Sequence, residues 1–244
     1  MALFGSSNPF MNEEKYSNIL DSSAAAEGTM TVSGAVNKTL ILTGLLLLTS
    51  FVSFVMPNMV FLWGGAIGGF IVAMIAAFKP HLSKYLAPTY AVLEGLFVGT
   101  ISAVYAASYA GIVFNAFIST VGILAAMLFI YKSRIIEVTQ KFRMGVMAAT
   151  ASIALVYLVS MILGFFGINM PFLHEGGTVG IVISVAVIAV ATMNLLLDFD
   201  NIEKGEMHSA PKYMEWYSAM GLLITLVWLY LEILRLLSKI ARDR

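Results

Sequence analysis

The chain has 244 residues, of which 59% are hydrophobic and 11% are charged. A soluble domain carries about 25% charged residues and uses them to cover its surface, so this composition excludes a single soluble globule. The 14 Lys and Arg residues balance the 14 Asp and Glu residues, and there is no cysteine. Nucleic-acid binding, disulfides and thiolate metal sites are therefore not expected.

The first 37 residues are polar and mixed in charge, and we predict a flexible tail there. They lack the basic and apolar regions of a cleavable signal peptide. Residues 38–244 are predicted to form a seven-helix transmembrane domain, because each apolar segment has about 20 residues and can cross a ~30 Å hydrocarbon core. The predicted segments are 38–56, 59–78, 86–107, 112–131, 144–166, 177–199 and 215–238.

The loop charges predict the orientation of the bundle. Ten of the 14 basic residues fall in the tail and in the second, fourth and sixth loops, whereas the other three loops have none. The positive-inside rule then places the N-terminus in the cytoplasm. Four basic residues at the C-terminus oppose that arrangement, so the last segment either crosses against the rule or does not fully cross; we expect a full crossing. They are Arg235, Lys239, Arg242 and Arg244.

Small residues mark predicted helix contacts. Two overlapping GxxxG pairs lie in the second segment and one lies in the third. This spacing lets helix backbones approach closely, and packing within the chain is a simpler interpretation than a dimer contact. The residues are Gly64, Gly65, Gly68, Gly69, Gly95 and Gly99.

Glu94 is the only charged residue in the 46 residues from 86 to 131. A carboxylate inside a membrane costs about 2.5–3.5 kcal/mol on insertion scales and needs a partner, a proton or water. We interpret Glu94 as an ion or proton site, with a neutral acid that only joins helices as the alternative.

The sixth segment has a small and polar helical face that includes Asn194 and ends with Asp198. Asp200 lies about 200° further round the helix, so periodicity places Asp198 in the bundle and Asp200 at the cytoplasmic rim. In the alternative interpretation, both acids only solvate the helix end.

The last segment carries a second polar face, which includes Thr225, Glu232 and Arg235. Such a face should turn towards protein or water rather than lipid. Glu232 is then either a buried titratable carboxylate or half of an i,i+3 ion pair with Arg235 near the membrane edge.

Enzyme chemistry finds no support in the sequence. The three histidines fall in predicted loops, and no HExxH, GxGD or GxSxG motif is present. We therefore expect neither an enzyme nor a cofactor.

Three stretches resemble the Bax inhibitor family in its bacterial YccA-like branch, which would place the protein in a bacterial inner membrane. They are YAVLEGLFVGTIS (90–102), LLLDFDNIEKG (195–205) and PKYMEWYSAMGLLITLVWLYLEILRLL (211–237). The resemblance implies a seven-helix bundle with a central last helix, and a pH-sensitive calcium leak gated by an acidic pair between helices six and seven. Asp198 or Asp200 matches the first acid, and Glu232 matches the acid of the L-Y-L-acid motif.

The acid pair that the resemblance implies requires the two carboxylates to lie close together. If the last helix is straight from residue 215, Glu232 lies ~25 Å from its start and could not touch Asp198. Two functions thus stand as hypotheses: a pH-sensitive cation leak, with protons and Ca²⁺ as ligands, or a non-transporting regulator that binds other membrane proteins, such as a membrane protease. Asp198, Asp200, Glu232 and Arg235 are the gate candidates.

Overall fold

The structure is a computed structural model that describes residues 28–167 and 177–242. Within that part, seven helices are long and apolar enough to cross a membrane, which confirms the predicted all-α class. They are α1 (Val32–Val55), α2 (Met59–Phe78), α3 (Ser83–Ser108), α4 (Ile112–Lys132), α5 (Gln140–Phe165), α6 (Thr178–Met207) and α7 (Met214–Arg242). A 3₁₀ turn at Pro80–Leu82 leads into α3.

Local capping explains where the first two helices begin. The Asn58 side chain accepts a hydrogen bond from the Val60 amide at 2.8 Å, so α2 starts where the sequence predicts. Thr31 likewise accepts from the Gly34 amide at 2.9 Å, and α1 therefore begins at Val32, six residues before the predicted boundary. Of the predicted tail, residues 1–27 lie outside the described residues.

Helix α6 differs most from its predicted span. It continues to Met207, eight residues beyond the expected end at residue 199. An i,i+4 ion pair between Lys204 and Asp200, 2.7 Å long, supports the extra turns. Asp198 and Asp200 therefore lie well inside a helix rather than at its end.

Helix α7 is the central helix, as the family resemblance implies. It packs against α1, α3, α4 and α6. Both apolar cores of the bundle include its side chains, among them the fully buried Leu229 in one and Leu223 in the other. The helix also runs the full length of the bundle, because the Lys239 ammonium near its end donates to the Gly180 carbonyl at the start of α6, at 3.0 Å.

Residues 28–31 form an extended strap, here called the N-terminal strap, along the turn between α6 and α7. The Met30 amide donates to the Ala210 carbonyl at 2.7 Å, and Thr29 pairs with Pro211 as an antiparallel bridge. The Met30 side chain is 1% exposed and lies against Gly205, where a Cβ would meet its sulfur at 2.6 Å. The chain that precedes α1 is thus fixed to the entrance of α7.

Candidate functional site

Helices α5, α6 and α7 share a line of polar side chains, here called the polar seam. On α5 and on α7, three of the polar residues are seven positions apart, which places them on one face of their helix. The two sets are Arg143, Thr150 and Tyr157 on α5, and Thr225, Glu232 and Lys239 on α7. From first to last, each set spans about 21 Å along its helix, most of a ~30 Å hydrocarbon core. The seam consists of Arg143, Thr150 and Tyr157 on α5, Ser184, Asn194, Asp198 and Asp200 on α6, and Thr225, Glu232, Arg235 and Lys239 on α7.

Asp200 closes the seam at the end that holds the turn between α6 and α7. It is 7% exposed and forms ion pairs with Arg143 of α5 and with Lys204. The Arg143 guanidinium also donates to the Asn201 side chain at 2.7 Å. Asp200 thus lies at the end of the bundle, but it is buried between helices rather than turned away from the bundle as expected, because α6 continues beyond it and α5 covers it.

Asp198 lies one step further into the seam. Its carboxyl group lies beside the Thr225 hydroxyl of α7, which donates to the Gly221 carbonyl at 3.3 Å. The carboxyl oxygen Oδ2 is buried and has no hydrogen-bond partner among the described residues. One turn before it, the Asn194 amide donates to the Thr150 hydroxyl of α5 at 2.8 Å. Because buried polar atoms are nearly always paired, the unpaired Oδ2 marks a place where a proton, water or cation would be stabilised.

Glu232 lies between Thr225 and Lys239 on the α7 side of the seam and is 2% exposed. Tyr157 of α5 donates to its Oε1 at 2.9 Å, and Arg235 donates to the same oxygen at 3.0 Å. Arg235 also donates to the Tyr157 hydroxyl at 2.7 Å and covers the tyrosine ring. The sequence left two interpretations of Glu232 open; the structure contains the ion pair and also buries the carboxylate.

Lys239 ends the seam at the opposite side of the bundle. It is 4% exposed, and its ammonium donates to the Ser184 hydroxyl and to the Gly180 carbonyl, both at 3.0 Å. The seam is therefore bounded by cationic side chains at both ends.

The two acids matched to the family's gate do not meet in the structure. Asp198 is level with Thr225, and Glu232 follows seven residues later, about 10 Å further along α7. Thr225 and Glu232 share a face of α7, whereas Asp198 and Glu232 lie on different helices and have separate partners. The long α6 explains the arrangement, because it carries Asp198 about 14 Å inward from its end at Met207.

Glu94 lies on another side of the bundle, between α2 and α3. The side chain of Tyr90, one turn earlier on α3, lies beside its carboxylate. A Cβ built on Gly69 of α2 would meet a Glu94 carboxylate oxygen at 2.7 Å. Glu94 thus borders a helix contact and lies apart from the polar seam.

The predicted packing glycines divide into two groups. A Cβ on Gly65 would meet the Leu93 carbonyl of α3 at 2.5 Å, and one on Gly68 would touch the Leu93 side chain at 3.2 Å. On α3, Gly95 and Gly99 approach α1 so closely that a Cβ would meet α1 oxygens at 1.9 and 2.0 Å. Gly64 is the exception, since a Cβ there meets nothing within 4 Å.

A second cluster of charges, around Glu215 at the start of α7, was not predicted. The fully buried Glu215 carboxylate pairs with Lys38 of α1 and with Lys212, and it accepts from the Thr31 amide at 2.9 Å and hydroxyl at 3.0 Å. Glu215 and Lys38 are 177 residues apart, so no local pattern could have indicated the pair. The spacing of Arg143, Thr150 and Tyr157 was visible in the sequence and could have indicated the α5 face of the seam.

Two further observations concern charge at this end of the bundle. Glu203 of α6 accepts hydrogen bonds from Tyr131 and from Arg134, which lies in the loop after α4. The hydrogen bond between Arg134 and Glu203 raises the pKa of Arg134. Among residues 28–167 and 177–242, no three His, Asp or Glu side chains lie close enough together to hold a metal ion.

Comparison with known families supports the architecture. The family described as Bax inhibitor 1 like matches residues 8–242, nearly the whole chain. The chain belongs to that family. The match is to the family as a whole, and the assignment to the YccA-like branch stays a prediction. No curated protein sequence matches the chain.

Proposed function

We propose that this Bax inhibitor 1 like protein is a pH-sensitive cation leak of a bacterial inner membrane, with Ca²⁺ as the first candidate ion. The observation that carries the proposal is Asp198, whose buried Oδ2 lacks a partner among the described residues and lies in a polar seam about 21 Å long. Carboxylate, hydroxyl and amide oxygens are the ligands that Ca²⁺ prefers, and all three occur along this seam.

In this mechanism the protonation state of Asp198 controls the seam. A protonated carboxyl group carries no charge, so nothing attracts a cation or its water into the bundle. Ionisation places a negative charge in a medium of low dielectric constant, where a cation and water are the available compensation. Flux should therefore rise with pH. Glu232 is a second oxygen site further along, already compensated by Arg235.

Liposomes that contain the purified protein and a calcium-sensitive dye test the proposal. We expect Asp198→Asn to abolish the pH-dependent flux, because the amide has nearly the same shape and cannot ionise. Glu137→Gln, in the exposed loop before α5, is the matched control and should leave flux unchanged. Undiminished, pH-dependent flux in Asp198→Asn would contradict the assignment of the gate.

The orientation has its own experiment. We propose a cytoplasmic N-terminus, which puts the loop at Lys79 inside and the loop at Met56 outside. Because the chain has no cysteine, single variants Met56→Cys and Lys79→Cys can be labelled in intact cells with an impermeant thiol reagent. Rapid labelling at position 56 alone fits the proposal, and rapid labelling at position 79 alone reverses it.

A non-enzymatic regulator of other membrane proteins is the second candidate. The N-terminal strap favours it, because a partner that binds residues 1–27 would pull on a segment hydrogen-bonded to Glu215 of α7. Deletion of residues 1–27 should then release a co-purifying membrane protease while the bundle remains folded. Retention of the protease after that deletion would remove the tail from this role.

A further inference from the structure

Helix α5 is attached to the bundle more weakly than its neighbours. Among the seven helices it shares an appreciable backbone contact with α6 alone, whereas α7 packs against four helices. Only two of its described side chains are buried, Val146 and Ser160. Apolar packing therefore holds α5 far less firmly than it holds α7.

The contact between α5 and α6 also contains an open groove of about 300 Å³. Because no described protein atoms fill this groove, α5 has room to shift against α6 without a collision. The lining residues of the groove are Phe142, Gly145, Val146, Ala149, Val190 and Met193.

Three polar contacts, spaced by seven residues, hold α5 against the seam. Arg143 pairs with Asp200, Thr150 accepts from Asn194, and Tyr157 donates to Glu232. Polar contacts of this kind can be exchanged for water or a cation, since the same oxygen atoms bind either. Interlocked apolar side chains have no such substitute.

We propose that α5 is the movable wall of the polar seam and that Arg143 is the tethered cation that closes its entrance. A cation that enters at Asp200 displaces the Arg143 guanidinium, after which the contacts of Thr150 and Tyr157 exchange for water and α5 moves aside. This inference rests on the proposed cation leak, whose path it identifies.

A cross-link between α5 and α6 tests the movement. Thr150→Cys and Asn194→Cys place two thiols across a contact that measures 2.8 Å between side chains, in a chain with no other cysteine. Linking them with a short thiol-reactive bridge should reduce flux at least about tenfold if opening requires α5 to leave α6. A cleavable bridge should restore flux when it is reduced, and the single-cysteine variants control for the reagent.

A separate substitution tests whether Arg143 closes the entrance of the seam. Arg143→Gln removes the tethered cation and should raise flux about tenfold or more, the factor for losing one charge-assisted hydrogen bond. Arg134→Gln is the matched control, because Arg134 pairs with Glu203 and not with a seam residue of the described chain. Unchanged flux in both the cross-linked protein and Arg143→Gln would overturn the inference while the leak itself stands.

A labelling experiment keeps the inference testable without flux. The single variant Asn194→Cys should react with a water-soluble cationic thiol reagent several times faster when Arg143→Gln is added. Equal rates in the two backgrounds would overturn the movable wall. If the parent protein shows no flux but the rates differ, the proposed leak fails and the movable wall remains.

Discussion

Replacing Glu215 by glutamine removes the charge from the most completely surrounded carboxylate of the described structure. Glu215 has no exposed surface, and its two oxygens receive Lys38, Lys212 and both donors of Thr31. Glutamine has nearly the same size but offers one oxygen and an amide group that cannot accept. The variant would leave two lysines without their counter-charge and one set of donors without an acceptor.

The expected loss follows from the exposure of the partners. Removing one member of a fully buried ion pair costs about 3–5 kcal/mol, because the remaining charge stays uncompensated. Here the side chains of Lys38 and Lys212 are 18% and 38% exposed, so water compensates part of their charge. We therefore expect the free energy of unfolding to fall by about 2–3 kcal/mol.

Thermal unfolding in detergent, followed by loss of the folded peak in size-exclusion chromatography, measures this effect. Glu137→Gln, at an exposed acid, should unfold at the parent temperature. The proteolysis rate of the strap at residues 28–31 should also rise, because Thr31 loses its acceptor. Equal unfolding temperatures for both variants would refute the argument that the Glu215 cluster anchors the N-terminus to α7.

The remaining predictions concern packing and the seam. Gly99→Ala should lower stability by about 1–3 kcal/mol because its Cβ would meet an α1 oxygen at 2.0 Å, whereas Gly64→Ala should be neutral in the same unfolding assay. Asp198→Asn should raise the unfolding temperature, because neutralising a carboxylate whose buried Oδ2 has no partner among the described residues recovers about 1 kcal/mol; a lowered temperature would contradict this. Tyr157→Phe should lower stability by about 1 kcal/mol and increase flux, since Glu232 loses its hydrogen bond to α5. Lower stability with unchanged flux would show that this hydrogen bond stabilises the fold without restricting the flux.

Some features of the site were predictable because they depend on one helix at a time. The seven apolar segments follow from composition over windows of about 20 residues, which is the length a membrane requires. The glycine spacing indicated the close approach of α3 to its neighbours, where Gly95 and Gly99 face α1. The i,i+3 pair of Glu232 and Arg235 was likewise local.

Other features depend on where a helix ends and what covers it. The length of α6 decides that Asp198 is level with Thr225 and not with Glu232, and no periodic pattern sets that length. Asp200 was expected at the rim and turned away from the bundle, but Arg143 of α5 covers it. The periodicity of polar residues in a sequence shows which side chains share one face of a helix, but it does not show which helix packs against that face.

The low charge content of the sequence determined by itself that this chain is a membrane-spanning helical bundle, because so few charges cannot cover a soluble surface. Only the tertiary structure decided which charges meet. Glu215 is joined to Lys38 across 177 residues, and Asp200 to Arg143 across 57. Hydrophobicity acts on each segment independently of its partners, whereas an ion pair forms only when two separate helices have been brought to the same depth.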